Sequence, residues 1–442
     1  MIPIGAIADV KRMGFWSRTR NEIASRTLAT LDAAGLIAMI CWVCYSGMGT
    51  NVFGKLPWPT AMVDYRILYN SSRHVVETST YPFQYPYPPS AVALQYLTTH
   101  IEYPIAAALY LAINTIAAIA CWYIILRMLN WRGRWGLAFL GYLVASPFFH
   151  WELRSQNCNL LFLMAVLMAA SCLQRRRFSA AGGFLALSIA LKLFSILVIP
   201  YLLWKRQFQA FAWTAIGMVA FWIVLPAIVF GPERFDTVYR GWLYQMAESS
   251  RNVADLAHPI LISLPNAAHA VDAQNAGWIV GAVWLVWTTV AAFGAVAAWY
   301  RRDTPADAFG LLADIALLIL GPISVSPYLE PYHPIVCAIP AMLLICATAD
   351  SQQRSRVRLL AASLFMCGIV LSFYPAHWSA RGLWVNAEML LLAGGAALIA
   401  HLRVAIRTQS SIEAPKTQIV ARKDLWMRIV NSLKSSLKRV KP

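Results

Sequence analysis

The chain of 442 residues is predicted to be an all-α polytopic membrane protein, and three observations predict it. Its composition is 59% apolar and 13% charged, a balance that ordinary water-soluble domains do not keep. Apolar runs long enough for about 30 Å of hydrocarbon recur along most of its length. Those runs are continuous rather than alternating, which excludes a transmembrane β-barrel. The expected architecture is roughly 10–13 spans with loops and juxtamembrane helices gathered on one face.

The formal charge of +17 looks at first like a nucleic-acid signal. The basic residues, however, fall in short clusters between apolar runs, as in cytoplasmic loops that face anionic lipid. No nucleic-acid partner is expected. The eight cysteines are scattered, most of them inside apolar runs, and none has companions at zinc-ligand spacing. Cys41 and Cys44, one turn apart in a span, read as packing residues, and no metal is expected.

Taken in order, Lys11, Arg12, Arg18, Arg20 and Arg26 precede a span from Thr27 to Met48. This places residues 1–26 in the cytoplasm, ahead of a retained anchor rather than a cleaved signal peptide. The outer loop 49–105 follows, with the short apolar piece Ser90 to Thr99 lying at or dipping into the surface. Ala106 to Met128 returns to a basic turn at Arg127–Arg134, and Gly136 to Phe149 crosses back to a polar corner, His150–Asn159. Leu160 to Leu173 leads to Arg175–Arg177. A hairpin of two short pieces, Ala180–Ala190 and Leu193–Trp204, holds Lys192 at its tip.

Phe211 to Phe230 then reaches the outer loop 231–277, whose charges read as ordinary wet polarity. Trp278–Tyr300 and Phe309–Ile323 lead to a third outer motif, 324–332, followed by His333. Ile335–Ala349, Leu359–Pro375 and Leu383–His401 complete a membrane domain over 27–402, with every basic cluster on one side. The basic tail, 403–442, is expected in the cytoplasm, either as an amphipathic anchor over Leu425–Val440 or as a loose segment.

The unusual polar residues gather on the opposite, outer side: Asp64, Arg66, the Tyr/Pro run 81–89, Arg154–Asn159, Lys192, Glu330 and His333. Prolines in that run lack a backbone donor and restrain their predecessors, so it cannot continue a helix. Ionisable groups at membrane depth are costly and by default functional. One carboxylate facing several cations suits transfer from an anionic, lipid-linked donor. The carboxylate takes the proton of an attacking hydroxyl, and the cations meet the phosphate charge as its bond breaks. Tyr85 and Tyr87 offer either stacking faces for a sugar ring or members of an interfacial aromatic belt. A transporter or flippase of lipid-linked saccharides is the rival reading, although such proteins place polar groups near the midplane within repeats.

Asp64-Tyr65 after the first span, Tyr85-x-Tyr87-Pro88-Pro89, the corner Gln156-Asn157-Cys158-Asn159, the single Lys192 and Ser326-Pro327…His333 occur in that order. Together they resemble the polyprenol-phosphate-sugar-dependent glycosyltransferases of family 87, with the GT-C fold. The resemblance covers Ala61 to Pro340. It implies an inverting, α-mannosyltransferase-like enzyme of the bacterial inner membrane, active on the periplasmic face and needing no cofactor. It implies a polyprenyl-phosphate-linked sugar donor and a glycolipid or glycan acceptor, with membrane lipids around them. Asp64 would be the general base, and Lys192, His333 and Arg154 the phosphate contacts. Arg66, Tyr85, Tyr87, Gln156, Asn157, Asn159 and Glu330 would line the sugar and acceptor pocket. Gln156 stands where the family pattern has glycine, and Leu329-Glu330 where it has tryptophan. Glu330 is the one residue that would favour a bound cation.

Overall fold

The computed structural model describes residues 27–46, 62–82, 85, 87–131, 134–252, 268, 274–300, 307–326, 333–350, 353–373 and 381–405. Every regular element among them is helical. α1 (Thr27–Cys44) is the first span. The stretch expected as one outer loop, 49–105, contains two helices, α2 (Val63–Thr78) and α3 (Pro89–Tyr96). α2 buries Tyr65, Leu68, Tyr69, Ser72 and Val75, a stripe at helical spacing, and leaves Arg66, Asn70, Arg73, His74 and Glu77 exposed. Ser79 ends it in the left-handed region at φ 60°. α3 begins only where the proline run ends, with Pro89 in its first turn, where a missing N–H costs nothing.

α4 (Tyr103–Met128) is followed by α5 (Trp135–Ser155), α6 (Asn159–Gln174), α7 (Phe178–Leu191) and α8 (Leu193–Trp204). α5 runs further than expected. His150–Ser155 are helical, so the polar corner shrinks to Gln156–Cys158. Lys192 is extended between α7 and α8, which keeps these two short apolar helices from fusing into one.

α9 (Phe208–Phe230) packs tightly on α7. A methyl added at Gly182 would lie 2.5 Å from Trp213 Cβ, and one at Gly217 2.6 Å from Ala186 Cβ. Gly182 and Ala186, four apart on α7, and Gly217 on α9 thus let the backbones approach closely. The first half of the loop expected at 231–277 forms a helix, α10 (Pro232–Asn252), whose Val238 and Trp242 are buried in one cluster with Tyr81, Tyr85 and Tyr87. Its charges are therefore the outer face of an amphipathic helix.

α11 (Ala276–Tyr300), α12 (Ala308–Val325), α13 (His333–Ala349), α14 (Ser355–Phe373) and α15 (Arg381–Ala405) complete the bundle. The rest of the third outer motif, residues 327–332 with Glu330, and the tail beyond 405 lie outside the described residues.

Six of these helices, α1, α4, α9, α11, α14 and α15, are long and apolar enough to cross a membrane. Five more are apolar and shorter. α4 and α15 are 56% and 61% buried along their apolar windows and form the inner layer, whereas α1, α9, α11 and α14 are 11–22% buried and turn their apolar faces outward. The chain is an all-α, multi-pass membrane protein. Its main core joins α4, α5, α6, α12, α13 and α15, and two smaller clusters under α2, α3 and α10 carry the candidate site.

Candidate functional site

The corner between α5 and α6 is the centre of the site. Gln156 closes α5 with φ 57°, a left-handed conformation that favours glycine. It is held there by its own amide, which donates to Leu153 O and accepts from Asn114 Nδ2 at 3.0 Å. Asn157 stands at the apex. Its backbone oxygen accepts from Asn114 Nδ2 at 3.1 Å and from the Tyr110 hydroxyl at 3.2 Å. Its side-chain Oδ1 accepts from the Tyr87 hydroxyl and from Cys158 N, each at 2.7 Å. With the carbonyl end so engaged, the Nδ2 end is fixed by elimination, and it donates to Asp64 Oδ2 at 3.2 Å.

On the other side of Tyr87, the ammonium of Lys192 lies 5.5 Å above the ring. It donates to His333 Nε2 at 2.9 Å, which assigns the imidazole proton to Nδ1. Lys192 is 9% exposed and His333 7%, so both side chains are withdrawn from bulk solvent. A connected path therefore runs Asp64, Asn157, Tyr87, Lys192, His333 across four separate pieces of chain. The field is shared as well as the contacts. Burial pushes the Cys158 thiol up to about 12, with Lys192 pulling it down and Glu152 and Asp64 pushing it further up.

Such an arrangement offers an acid oxygen at one end and a buried ammonium with an imidazole beside it at the other, bridged by neutral donors. It can accept a proton and hold an anion at once. The family model of Glycosyltransferase family 87 matches residues 85–327, more than half of the chain. The chain belongs to this family. It is a glycosyltransferase in a membrane, and sugar donor, acceptor and lipid are its partners in general terms. No curated protein and no solved structure matches it. The family match holds Tyr85, Tyr87, Arg154, Gln156, Asn157, Asn159 and Lys192, while Asp64, Arg66, Glu330 and His333 lie beyond its ends.

Of the residues singled out in the sequence, Asp64, Tyr87, Asn157, Lys192 and His333 come together in the connected path. Tyr85 is 2% exposed, and its hydroxyl is 3.3 Å from that of Ser72, so it pins the proline run to α2 rather than presenting a free ring. Gln156 and Asn159 brace the corner from behind. Arg154 is exposed, with its guanidinium 5.3 Å from the Trp151 ring, and Arg66 is exposed on α2. Neither is joined to the path by the contacts above. Both stand two residues from an inward-facing acid, Glu152 or Asp64, and two steps turn a helix by about 200°.

The sequence reading missed Glu152, Asn114 and Tyr110. Asn114 had a signal, being the one amide within the apolar run of α4. Glu152 had none beyond its charge among other polar corner residues.

Proposed function

We propose that the chain transfers a mannose-like sugar from a polyprenyl-phosphate donor to a glycolipid or glycan acceptor, with inversion, at the periplasmic face of a bacterial inner membrane. The observation that carries this reading is the connected path from Asp64 to the buried Lys192–His333 pair. Asp64 takes the proton of the acceptor hydroxyl as its oxygen attacks the anomeric carbon. The new carbon–oxygen bond forms on the face opposite the breaking bond to the phosphate oxygen. The electron pair of that bond leaves with the polyprenyl phosphate, whose charge Lys192 and His333 meet. Asn157 fixes the carboxylate of Asp64, and Tyr87 spaces it from the Lys192 ammonium. Positioning supplies much of the rate, since the two substrates meet already oriented. The basic clusters between spans, all on the side away from the site, support the periplasmic assignment.

The test is transfer of radiolabelled sugar from a polyprenyl-phosphate donor by the purified full-length protein. Asp64→Asn keeps the side chain's shape and removes its basicity, and the expected loss of turnover is about 100-fold or more. Near wild-type turnover in a folded Asp64→Asn protein overturns the assignment of the base. Label that reaches no glycolipid or glycan with wild-type protein overturns the donor class.

A further inference from the structure

The corner that aims Asn157 is itself held by a buried acid. Glu152, in the last turn of α5, is 0% exposed. Its Oε1 accepts from Asn159 N at 2.8 Å and from Leu160 N at 3.3 Å, and its Oε2 accepts from Asn159 Nδ2 at 2.7 Å. The two backbone donors are unmatched N–H groups of the first turn of α6. The residue that precedes that turn, Cys158, makes no side-chain cap. One carboxylate therefore clamps the end of α5 to the start of α6 across the three residues that include Asn157. Lys192 and Asp64 both lie within its electrostatic reach.

A serine or asparagine at the start of α6 would satisfy those N–H groups without burying a charge. Burying a carboxylate is costly unless it is paired and hydrogen-bonded. Its charge gains something a neutral cap would not. It offsets Lys192 inside the protein and, through three donors, leaves the corner a single arrangement. Freedom at Gln156–Cys158 would turn the Asn157 amide away from Asp64.

We infer that Glu152 is a positioning residue: by clamping Asn159 and Leu160 it holds the Asn157 amide against Asp64, so that the base meets the acceptor in one orientation. The inference rests on the proposed role of Asp64 as base and names what keeps that base in place.

The test uses three full-length variants in the same sugar-transfer assay. Glu152→Gln keeps an oxygen for the two backbone donors but sets an amide N–H₂ against that of Asn159. The expected result is a fall in kcat of about tenfold or more per folded molecule, with donor KM within about threefold of wild type. Asn159→Asp alone sets two carboxylates face to face and lowers kcat further. In the double variant the amide introduced at 152 donates to the carboxylate introduced at 159, the clamp re-forms with its charge moved, and kcat returns to within about threefold of wild type.

A merely structural role predicts less folded protein but unchanged kcat in the folded fraction, and that result overturns the inference. So does a folded double variant no better than the worse single. If Asp64→Asn abolishes turnover while Glu152→Gln spares it, this inference alone fails. If Asp64→Asn spares turnover, the proposed base fails, and the positioning role falls with it.

Discussion

The two ends of the helical bundle use charged side chains in opposite ways. α4 has 26 residues and so separates its ends by about 39 Å. At the Tyr103 end, the path from Asp64 to Lys192 passes through two neutral side chains, Asn157 and Tyr87. At the Met128 end, Arg403 Nη1 meets Asp350 Oδ2 directly at 3.2 Å, with its guanidinium 4.6 Å from the Phe309 ring. They border a cavity of about 310 Å³ that Asn130, Gln174 and Asp307 also line. Opposite charges in direct contact cancel most of each other's field. A carboxylate and a cation bridged by neutral groups keep theirs for a third molecule. The first arrangement braces helices, and the second is suited to chemistry on an anionic substrate.

The sharpest way to break that contrast is Lys192→Met, which keeps most of the apolar stem and removes the ammonium. If the Lys192 ammonium serves a departing phosphate, kcat/KM for the lipid-phosphate donor falls by about 100-fold or more, measured per folded molecule. Unchanged transfer would mean that Lys192 braces the bundle as Arg403 does. A smaller effect is expected of Tyr87→Phe. The ring beneath Lys192 remains, but Asn157 Oδ1 loses one of its two donors and keeps Cys158 N, at a cost of about 1 kcal/mol. If that cost falls on the aim of Asn157, kcat drops by about tenfold while donor KM stays put. A rise in KM alone would assign Tyr87 to donor binding instead.

Much of this contrast was visible in the residues before any fold was known. Lys192 interrupts an apolar stretch, where an ammonium either serves a site or snorkels to the surface, and the structure buries it beside Tyr87 and His333. The long spans declare themselves by hydropathy, since each must cover its own backbone in lipid. α2 and α10 did not, because their polar faces lower the local average. Their apolar stripes, Tyr65–Leu68–Tyr69–Ser72 and Val238–Trp242, carry the helical period that length and hydropathy overlook.

Arg154 and Arg66 were grouped with the site on charge and on the family resemblance. Once α5 is seen to run to Ser155, Glu152 and Arg154 must face opposite ways, and the acid rather than the arginine points inward. The role of Glu152 depends on where α6 begins, and helix ends are the least legible feature of a single sequence. The αL conformation of Gln156 was foreshadowed only by the glycine that the family pattern has there.

The smallest expected effect on turnover comes from the opposite end. Arg403→Met removes a partly buried partner of Asp350, the two side chains being 11% and 22% exposed, so solvent screens the pair only in part. The expected loss is about 1 kcal/mol of stability, read as a Tm lowered by a few degrees in detergent. Turnover of the folded protein is expected to stay within about twofold of wild type. The two measurements have to be made together, because a less stable sample loses total activity for a trivial reason. Should the folded Arg403→Met protein lose as much kcat as Tyr87→Phe, α4, α6 and α13 would be transmitting the state of one end to the other. The division into a bracing end and a reacting end would then be wrong, since a directly paired charge about 39 Å along α4 would be tuning the chemistry.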